Sequence, residues 1–368
     1  MNAFDEAIVS VSAVAGWLEF PGVTEATLFL LGWLAGWFVF IRARSLSAAK
    51  SPRRTSVSVI VPCRNEAENL AFLLPSLRSS MEGDDEIIVV DDESTDETVV
   101  VAERHGVIVV RAGTLPDGWT GKSHACFVGA QRATRDVLLF VDADVRVGGR
   151  AVDDLLAVLE QHPDAVVSAM PWHRTVGAIE RLSMLFNSVS AMVAASAAGR
   201  GTGRVAYGPF LAVRRDQYMR VGGHSHLSVR GSVIDDLALA RVLPHAVAMI
   251  AHQHQVEYRM YPRGIRQLWE GWTKNTAKGA LVVPRWVTLL VVAWIVSLCG
   301  GPLTSGWCYA LSVAQVAVMV RRVGNFGVLS AALYPLHAAF FVIVAVRSFV
   351  QSVLVGRVAW RGRTIATR

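Results

Sequence analysis

The chain has 368 residues, of which 52% are apolar and only 18% charged, and its formal charge is +6. That is greasier than an ordinary soluble domain, which directs attention to membrane spans. Beyond Glu270 there are ten Lys or Arg and no Asp or Glu, so that part carries +10 and residues 1–270 carry −4. A basic, apolar tail on a mildly acidic body fits a soluble domain with a membrane anchor, and it argues against nucleic-acid binding, which wants a basic stripe on the body.

In chain order, residues 1–22 read as an N-terminal extension. The run 23–41, "VTEATLFLLGWLAGWFVFI", has the length of a bilayer core. Asp5 and Glu6 precede it and Arg42, Arg44, Lys50, Arg53 and Arg54 follow, so the positive-inside rule puts the chain after Ile41 in the cytoplasm. No small-residue cleavage site stands behind it, which favours an anchor over a removed signal. Residues 42–56, with "SLSAAKSPRRTS", read as a linker.

From Val57 strand and helix alternate. "VSVIVP", "DEIIVVDDES", "VIVVRA" and "DVLLFVDAD" read as strands; "NEAENLAFLLPSL", "TDETVVVAERHG" and "GKSHACFVGAQRAT" read as the helices between them. Such alternation implies an α/β fold with a mostly parallel, Rossmann-like sheet and right-handed crossovers, whose ligands bind at the carboxyl ends of the strands. Residues 57–150 hold this pattern. Over 151–284 it loosens: "AVVSAMP" reads as a strand and "IERLSMLFNSVSAMVAASAAG" as a long apolar helix, whose Glu180, Arg181 and Asn187 argue for burial rather than a span. Residues 285–356 return to the membrane, with spans near 286–302, 305–320 and 329–346. Arg321 and Arg322 belong on the cytoplasmic side. Three C-terminal crossings would export the basic tail 357–368, "RVAWRGRTIATR"; the alternatives are a hairpin or re-entrant element over 329–355, or a middle segment that does not cross. The cysteines, Cys63, Cys126, Cys299 and Cys308, show no metal or redox spacing and read as reduced packing residues.

The chemistry concentrates at strand ends. In "LLFVDAD", Asp142 and Asp144 close an apolar run. Two carboxylates that near repel unless a cation lies between them, and Mg²⁺ or Mn²⁺ commonly takes one or two carboxylates plus substrate phosphates. On an extended segment the D-x-D spacing points both side chains to one face. Asp91 and Asp92 end the second strand, though either could simply cap the next helix.

"VSVIVPCRNEAENL", "IIVVDDESTDET", "GKSHA" and "LLFVDAD", in this order, resemble the inverting glycosyltransferases of family 2, which have the GT-A fold. "LPDGWTGKSHACFVGA" is similar to a membrane-anchored branch that includes hopene-associated and carotenoid (4,4′-diaponeurosporenoate) glycosyltransferases. The resemblance implies a GT-A fold with one N-terminal and about three C-terminal transmembrane helices. Residues 57–150 would be the nucleotide-binding half and 151–284 the acceptor and catalytic half. It also implies a UDP-sugar donor, a lipid acceptor such as a hopanoid, carotenoid or glycolipid, and a multi-pass membrane protein with its catalytic domain cytoplasmic. Pro62, Arg64, Glu66, Asp91, Asp92, Lys122 and Asp142 would bind the nucleotide-sugar, and Asp144 with Asp142 would hold Mg²⁺ or Mn²⁺. In "VIDDLALA", Asp236 would be the catalytic base, beside Asp235 where the family usually has Glu. Processive members carry Gln-x-x-Arg-Trp before the membrane. Here "RGIRQLWEGWTKN" offers Arg266, Trp269, Trp272 and Lys274 without that motif, which favours transfer of a single sugar to a lipid at the interface over a polysaccharide synthase. The remaining rivals are a nucleotidyltransferase and an inactive sugar-nucleotide-binding scaffold.

Overall fold

A computed structural model of the chain describes residues 19–50, 55–197, 204–351, 357–360 and 363–366. Helix α1 (Val23–Phe40) leads straight to the sheet: the Leu46 N–H donates to the Ile250 carbonyl at 2.8 Å, and the Ile250 N–H donates to that of Arg44 at 2.8 Å. The first part of the segment read as a linker is therefore an edge bridge, with Leu46 buried.

Four strands form where the sequence alternation puts them: β1 (Val57–Cys63), β2 (Glu86–Asp91), β3 (Ile108–Arg111) and β4 (Val137–Val141). β1 pairs in parallel with β2 and β4, and β2 with β3. Side chains of β1, β2 and β4 are buried on both faces, as continuous Val/Ile/Leu runs require. The crossovers are α2 (Ala67–Arg78), α3 (Thr98–Arg104) and α4 (Gly121–Arg132). α2 buries Leu70, Leu73, Leu74 and Leu77, one helical stripe. α4 presents small residues to the sheet; a Cβ on Gly129 would run into Ile60 and Val90.

The second half adds β5 (Val145–Val147), α5 (Ala151–Gln161), β6 (Ala165–Met170) and β7 (Trp172–His173). The predicted long apolar helix is a 3₁₀ turn at Glu180–Ser183 running into α6 (Met184–Ala197), with Met184 and Met192 in the core. Then come β8 (Phe210–Arg214), α7 (Arg215–Arg220), α8 (Leu227–Arg230), α9 (Asp235–Val242), β9 (His245–Ile250), β10 (Val256–Tyr258) and α10 (Ile265–Val282). The main sheet runs β3-β2-β1-β4-β8-β6-β9, with β8 antiparallel to both neighbours and the other pairs parallel. A small sheet, β5-β10-β7, sits beyond it. The sheet is parallel-dominated, as the alternation implies, and the antiparallel β8 makes it the mixed sheet expected of the GT-A fold that the family resemblance implies.

Helices α11 (Arg285–Thr304) and α12 (Gly306–Val323) are joined through Ser305, whose hydroxyl caps α12 by accepting the Cys308 N–H at 3.3 Å. α1 packs tightly on α11 because Gly32 and Gly36, one turn apart, face it; a Cβ at either would collide with Ala293, Trp294 or Ser297. Inside the bundle the Trp294 indole donates to Gln315 at 2.9 Å, and the Gln315 amide donates to the Trp33 carbonyl at 2.7 Å, so buried polar atoms are mutually satisfied. Two of these helices, α1 and α11, are long and apolar enough to cross a membrane. The segment expected as a third C-terminal span is two shorter helices, α13 (Gly327–Ala332) and α14 (Tyr334–Phe349), with a break at Leu333. Its turn lies beside the start of α12, where the Tyr309 hydroxyl donates to the Ala332 carbonyl at 2.6 Å and Tyr309 stacks on Tyr334. Its far end returns to the α/β domain, where the Ser348 hydroxyl donates to the Thr273 carbonyl of α10. α13 and α14 thus form a helical hairpin that turns near Leu333. Within the basic tail, β11 (Arg357–Trp360) and β12 (Arg363–Ala366) pair antiparallel.

Bundle and domain are also joined at the turn after α12. Gly324 bridges His173, and the Asn325 N–H donates to the His173 carbonyl at 3.1 Å. The Asn325 side-chain amide then pairs with the Thr175 backbone in both directions, at 2.5 and 3.0 Å.

Candidate active site

The loops after β1 and β2 are laced together at the carboxyl edge of the sheet. Asn65 and Glu93 both take left-handed backbone conformations, with φ of 54° and 57°. The Asn65 N–H donates to Ser94 Oγ at 2.9 Å, and Asn65 Oδ1 accepts the Thr95 N–H at 2.7 Å. Asp91 helps to hold this scaffold: its Oδ1 accepts the Ser94 N–H at 3.1 Å. Asp92 is different. Arg64 Nη1 stands 3.6 Å from its Oδ2, while its buried Oδ1 has no hydrogen-bond partner in the protein. A buried acceptor left open is costly unless a ligand completes it. Asp92 also touches Gly121, the first residue of α4, where a Cβ would strike the carboxylate. Glu66 accepts from the Asn69 amide at 2.6 Å, at the start of its own helix.

α4 carries Lys122 to the same edge, where its Nζ meets Asp142 Oδ1 at 2.7 Å. Pro62, Lys122, Asp142, Asp235 and Asp236, all singled out in the sequence, line one small pocket together with Cys126, Gly208 and His224. Asp144 is exposed, just outside it. The expectation that Asp142 and Asp144 share a face rested on an extended segment. The chain instead turns there, closed by the Val145 N–H donating to the Asp142 carbonyl at 3.2 Å, with Ala143 buried beneath.

Asp235 and Asp236 are the first two residues of α9, and both of Asp236's oxygens are held by backbone. Oδ2 accepts the Gly208 N–H at 2.7 Å and Oδ1 the Leu237 N–H at 2.8 Å. Burial, and then the charge of Asp235, push the Asp236 carboxyl up to about 6. For Asp235 burial also opposes ionisation, but Lys122 and the contact with His224 outweigh it and hold its carboxyl below the ordinary range. Burial likewise opposes the charge on Lys122, and Asp142, Asp235 and Asp236 more than restore it. The pair thus sorts itself into a permanent anion and a carboxylate basic enough to take a proton near neutrality.

Sequence reasoning placed Lys274 at the lipid interface and missed His224. Lys274 extends from α10 toward the same carboxylates; burial and Lys122 lower its ammonium to about 8, against the pull of Asp235, Asp236 and Asp142. His224 follows the paired glycines of "VGGHS", a signal for an unusual turn but not for a site. The residues expected at the lipid interface separate. Arg266 is exposed and paired with Glu270 at 3.1 Å. Trp269 lies under Arg347 and against Phe340. Trp272 is buried, stacked on Phe186 at 4.6 Å with its indole donating to Ser183 Oγ at 3.0 Å, because α10 turns this face onto α6.

Comparison with known proteins agrees with this architecture. Residues 58–222 match the model of glycosyl transferase family 2. A 4,4′-diaponeurosporenoate glycosyltransferase of Staphylococcus aureus (strain MRSA252) is 31% identical over 354 residues, covering 89% of this chain and 93% of its own. The protein of the same description in Staphylococcus haemolyticus (strain JCSC1435) is 29% identical over 370 residues, covering 92% and 96%. A mannosyltransferase from Pyrobaculum calidifontis, solved in complex with GDP-Man and Mn²⁺, shares the fold at a TM-score of 0.54 and 17% identity, covering 88% of this chain and 96% of that one. The chain belongs to glycosyl transferase family 2, and it is a hexosyltransferase.

Proposed function

We propose that this enzyme moves one sugar from a UDP-sugar to a lipid-like acceptor of carotenoid type, with inversion, at the cytoplasmic face of a membrane. The observation that carries the reading is the pocket itself. Asp236, rigidly held and basic, shares it with the Lys122–Asp142 pair at the edge where the loops of β1 and β2 converge. Asp236 takes the acceptor hydroxyl's proton as the oxygen attacks the anomeric carbon. The bond to the diphosphate breaks, and the nucleoside diphosphate leaves with the electron pair. If the acceptor is a carboxylate it is already ionised, and Asp236 then positions it. Asp92, with its open oxygen, suits a ribose hydroxyl or a base N–H, with Arg64 beside it.

The carboxylates of Asp142 and Asp144 are hard oxygen donors, which suits Mg²⁺ or Mn²⁺ there. When bound, such a cation stabilises charge on the departing diphosphate. Lys122 holds the charge of Asp142 in the protein alone.

The acceptor reading is supported by the relatives' descriptions and by the bundle. α1 exposes Leu28, Leu31 and Leu34, and α11 exposes Leu289, Val292 and Val296, as lipid-facing helices would. The hairpin of α13 and α14 then keeps the basic tail on the cytoplasmic side.

The test offers detergent-purified enzyme a panel of UDP-sugars with a total bacterial lipid extract, in Mn²⁺ or EDTA, alongside Asp144→Asn. One sugar should enter the lipid phase, with metal, and the substitution should abolish it. Polymer in the aqueous phase, or transfer indifferent to EDTA and to the substitution, overturns the reading.

A further inference from the structure

Behind the pocket lies a hydrogen-bond chain. Gly222 and Gly223 both have positive φ, 79° and 49°, and a Cβ on Gly223 would fall inside the Tyr218 ring. The paired glycines let the backbone press against that ring, and this delivers His224 to its hydroxyl. The His224 N–H donates to Tyr218 Oη at 3.0 Å, and Oη lies 2.9 Å from His224 Nδ1. A tyrosine hydroxyl has one proton to give. With the backbone N–H already donating to it, that proton goes to Nδ1. Nδ1 is therefore the acceptor, and in the neutral ring the hydrogen sits on Nε2, 3.5 Å from Asp235 Oδ2. Phe140 packs edge-on against the imidazole and closes the site from the sheet.

Cys126, His224 and Asp235 place their ligand atoms within 4.8 Å of one another, which raises the possibility of a metal. The tautomer speaks against it. A metal on Nε2 would move the hydrogen to Nδ1, and the buried Tyr218 hydroxyl would then accept twice and lose its own acceptor.

Resting on the reading of Asp236 as the base, we propose that His224 is a positioning residue of the transfer reaction: locked by Tyr218 with its hydrogen on Nε2, it fixes Asp235 so that this carboxylate stays beside Asp236 and within the field of Lys122. The groups facing Asp235 are Lys122 and Cys126 from α4, Lys274 from α10, Asp142 from the end of β4, and Asp236 from its own helix. His224 approaches it through Nε2, whose hydrogen is directed by Tyr218 at the other side of the ring. Without that hold the Asp235 charge shifts away from Asp236, and the base becomes weaker.

The experiment compares wild type, His224→Phe, His224→Gln and Tyr218→Phe. The readouts are UDP binding in Mn²⁺, kcat and KM for sugar transfer, and the pH profile of kcat. Wild-type turnover with a UDP-sugar is the control, and its absence would sink the functional reading rather than this one. His224→Phe should lose roughly tenfold or more in kcat, with UDP affinity and donor KM within about twofold of wild type and the acid limb moved to lower pH. His224→Gln, which keeps an N–H donor, should recover most of the loss. Tyr218→Phe, which removes a single oxygen, should move kcat and the acid limb the same way if the phenylalanine variant fails to fold. Ring ¹⁵N shifts of labelled wild-type protein, assigned by the difference from His224→Gln, should show Nε2 protonated. Wild-type kcat and pH profile in His224→Phe and Tyr218→Phe, a glutamine variant no better than phenylalanine, or Nδ1 protonated in the wild type would each overturn the proposal.

Discussion

Replacing Asp236 by Asn tests the proposed chemistry most directly, and the structure sets its size. The exchange keeps the shape but removes the base. Loss of general-base help costs about 10²–10⁴-fold in rate. At ~1.36 kcal/mol per tenfold that is about 2.7–5.5 kcal/mol of activation free energy. The exchange also disturbs the ground state. Two backbone N–H groups, of Gly208 and Leu237, donate to opposite oxygens of the carboxylate. An amide has one oxygen, so its NH₂ must face one of these donors, leaving it unsatisfied at about 1–3 kcal/mol of stability. The variant should therefore melt at a lower temperature yet still bind UDP in Mn²⁺, because Asp92, Arg64 and Lys122 are untouched. Transfer of labelled sugar into the lipid phase, measured at saturating donor well below the melting temperature, separates the two effects. A kcat within tenfold of wild type, with an acceptor bearing a hydroxyl, would refute Asp236 as the base.

Because the Asp236 carboxyl is pushed up to about 6, and the base must be ionised to act, kcat should fall as pH drops through that value; a profile flat down to pH ~4.5 would mean an ordinary aspartate. Asn325→Ala leaves the Thr175 N–H, 5% exposed, without its acceptor, which should cost about 1–3 kcal/mol and appear as a lower temperature of half-inactivation in detergent, with the donor KM unchanged.

The first half of the domain was legible because its signals are local. A strand buried on both faces must be a continuous branched run, and a carboxylate at its end stands where parallel strands present ligands, so β1 to β4, Asp92 and Asp142 could be read directly. What escaped depended on partners far away in the chain. Nothing in "FLAVR" states that β8 runs against its neighbours, since direction is fixed by the path between strands. "DAD" looks extended, but the short β5 that follows needs a turn. Lys274 reads as one more interfacial cation until α10 is seen to reach the pocket. His224 needs both the paired glycines and Tyr218 before its hydrogen can be placed. The apolar helices of the bundle were legible in composition but not in path, because an apolar run of a given length does not say whether it continues or doubles back.

The Asn325 amide, pairing with Thr175 as a strand would, leaves the cleft no freedom to tumble relative to the helices that hold it. On the proposed reading, an enzyme fastened in this way would meet its lipid by lateral diffusion within a plane. Its rate should then follow the mole fraction of acceptor in the surface rather than the amount per volume of solution. Diluting the acceptor with inert lipid should slow it, and adding buffer should not.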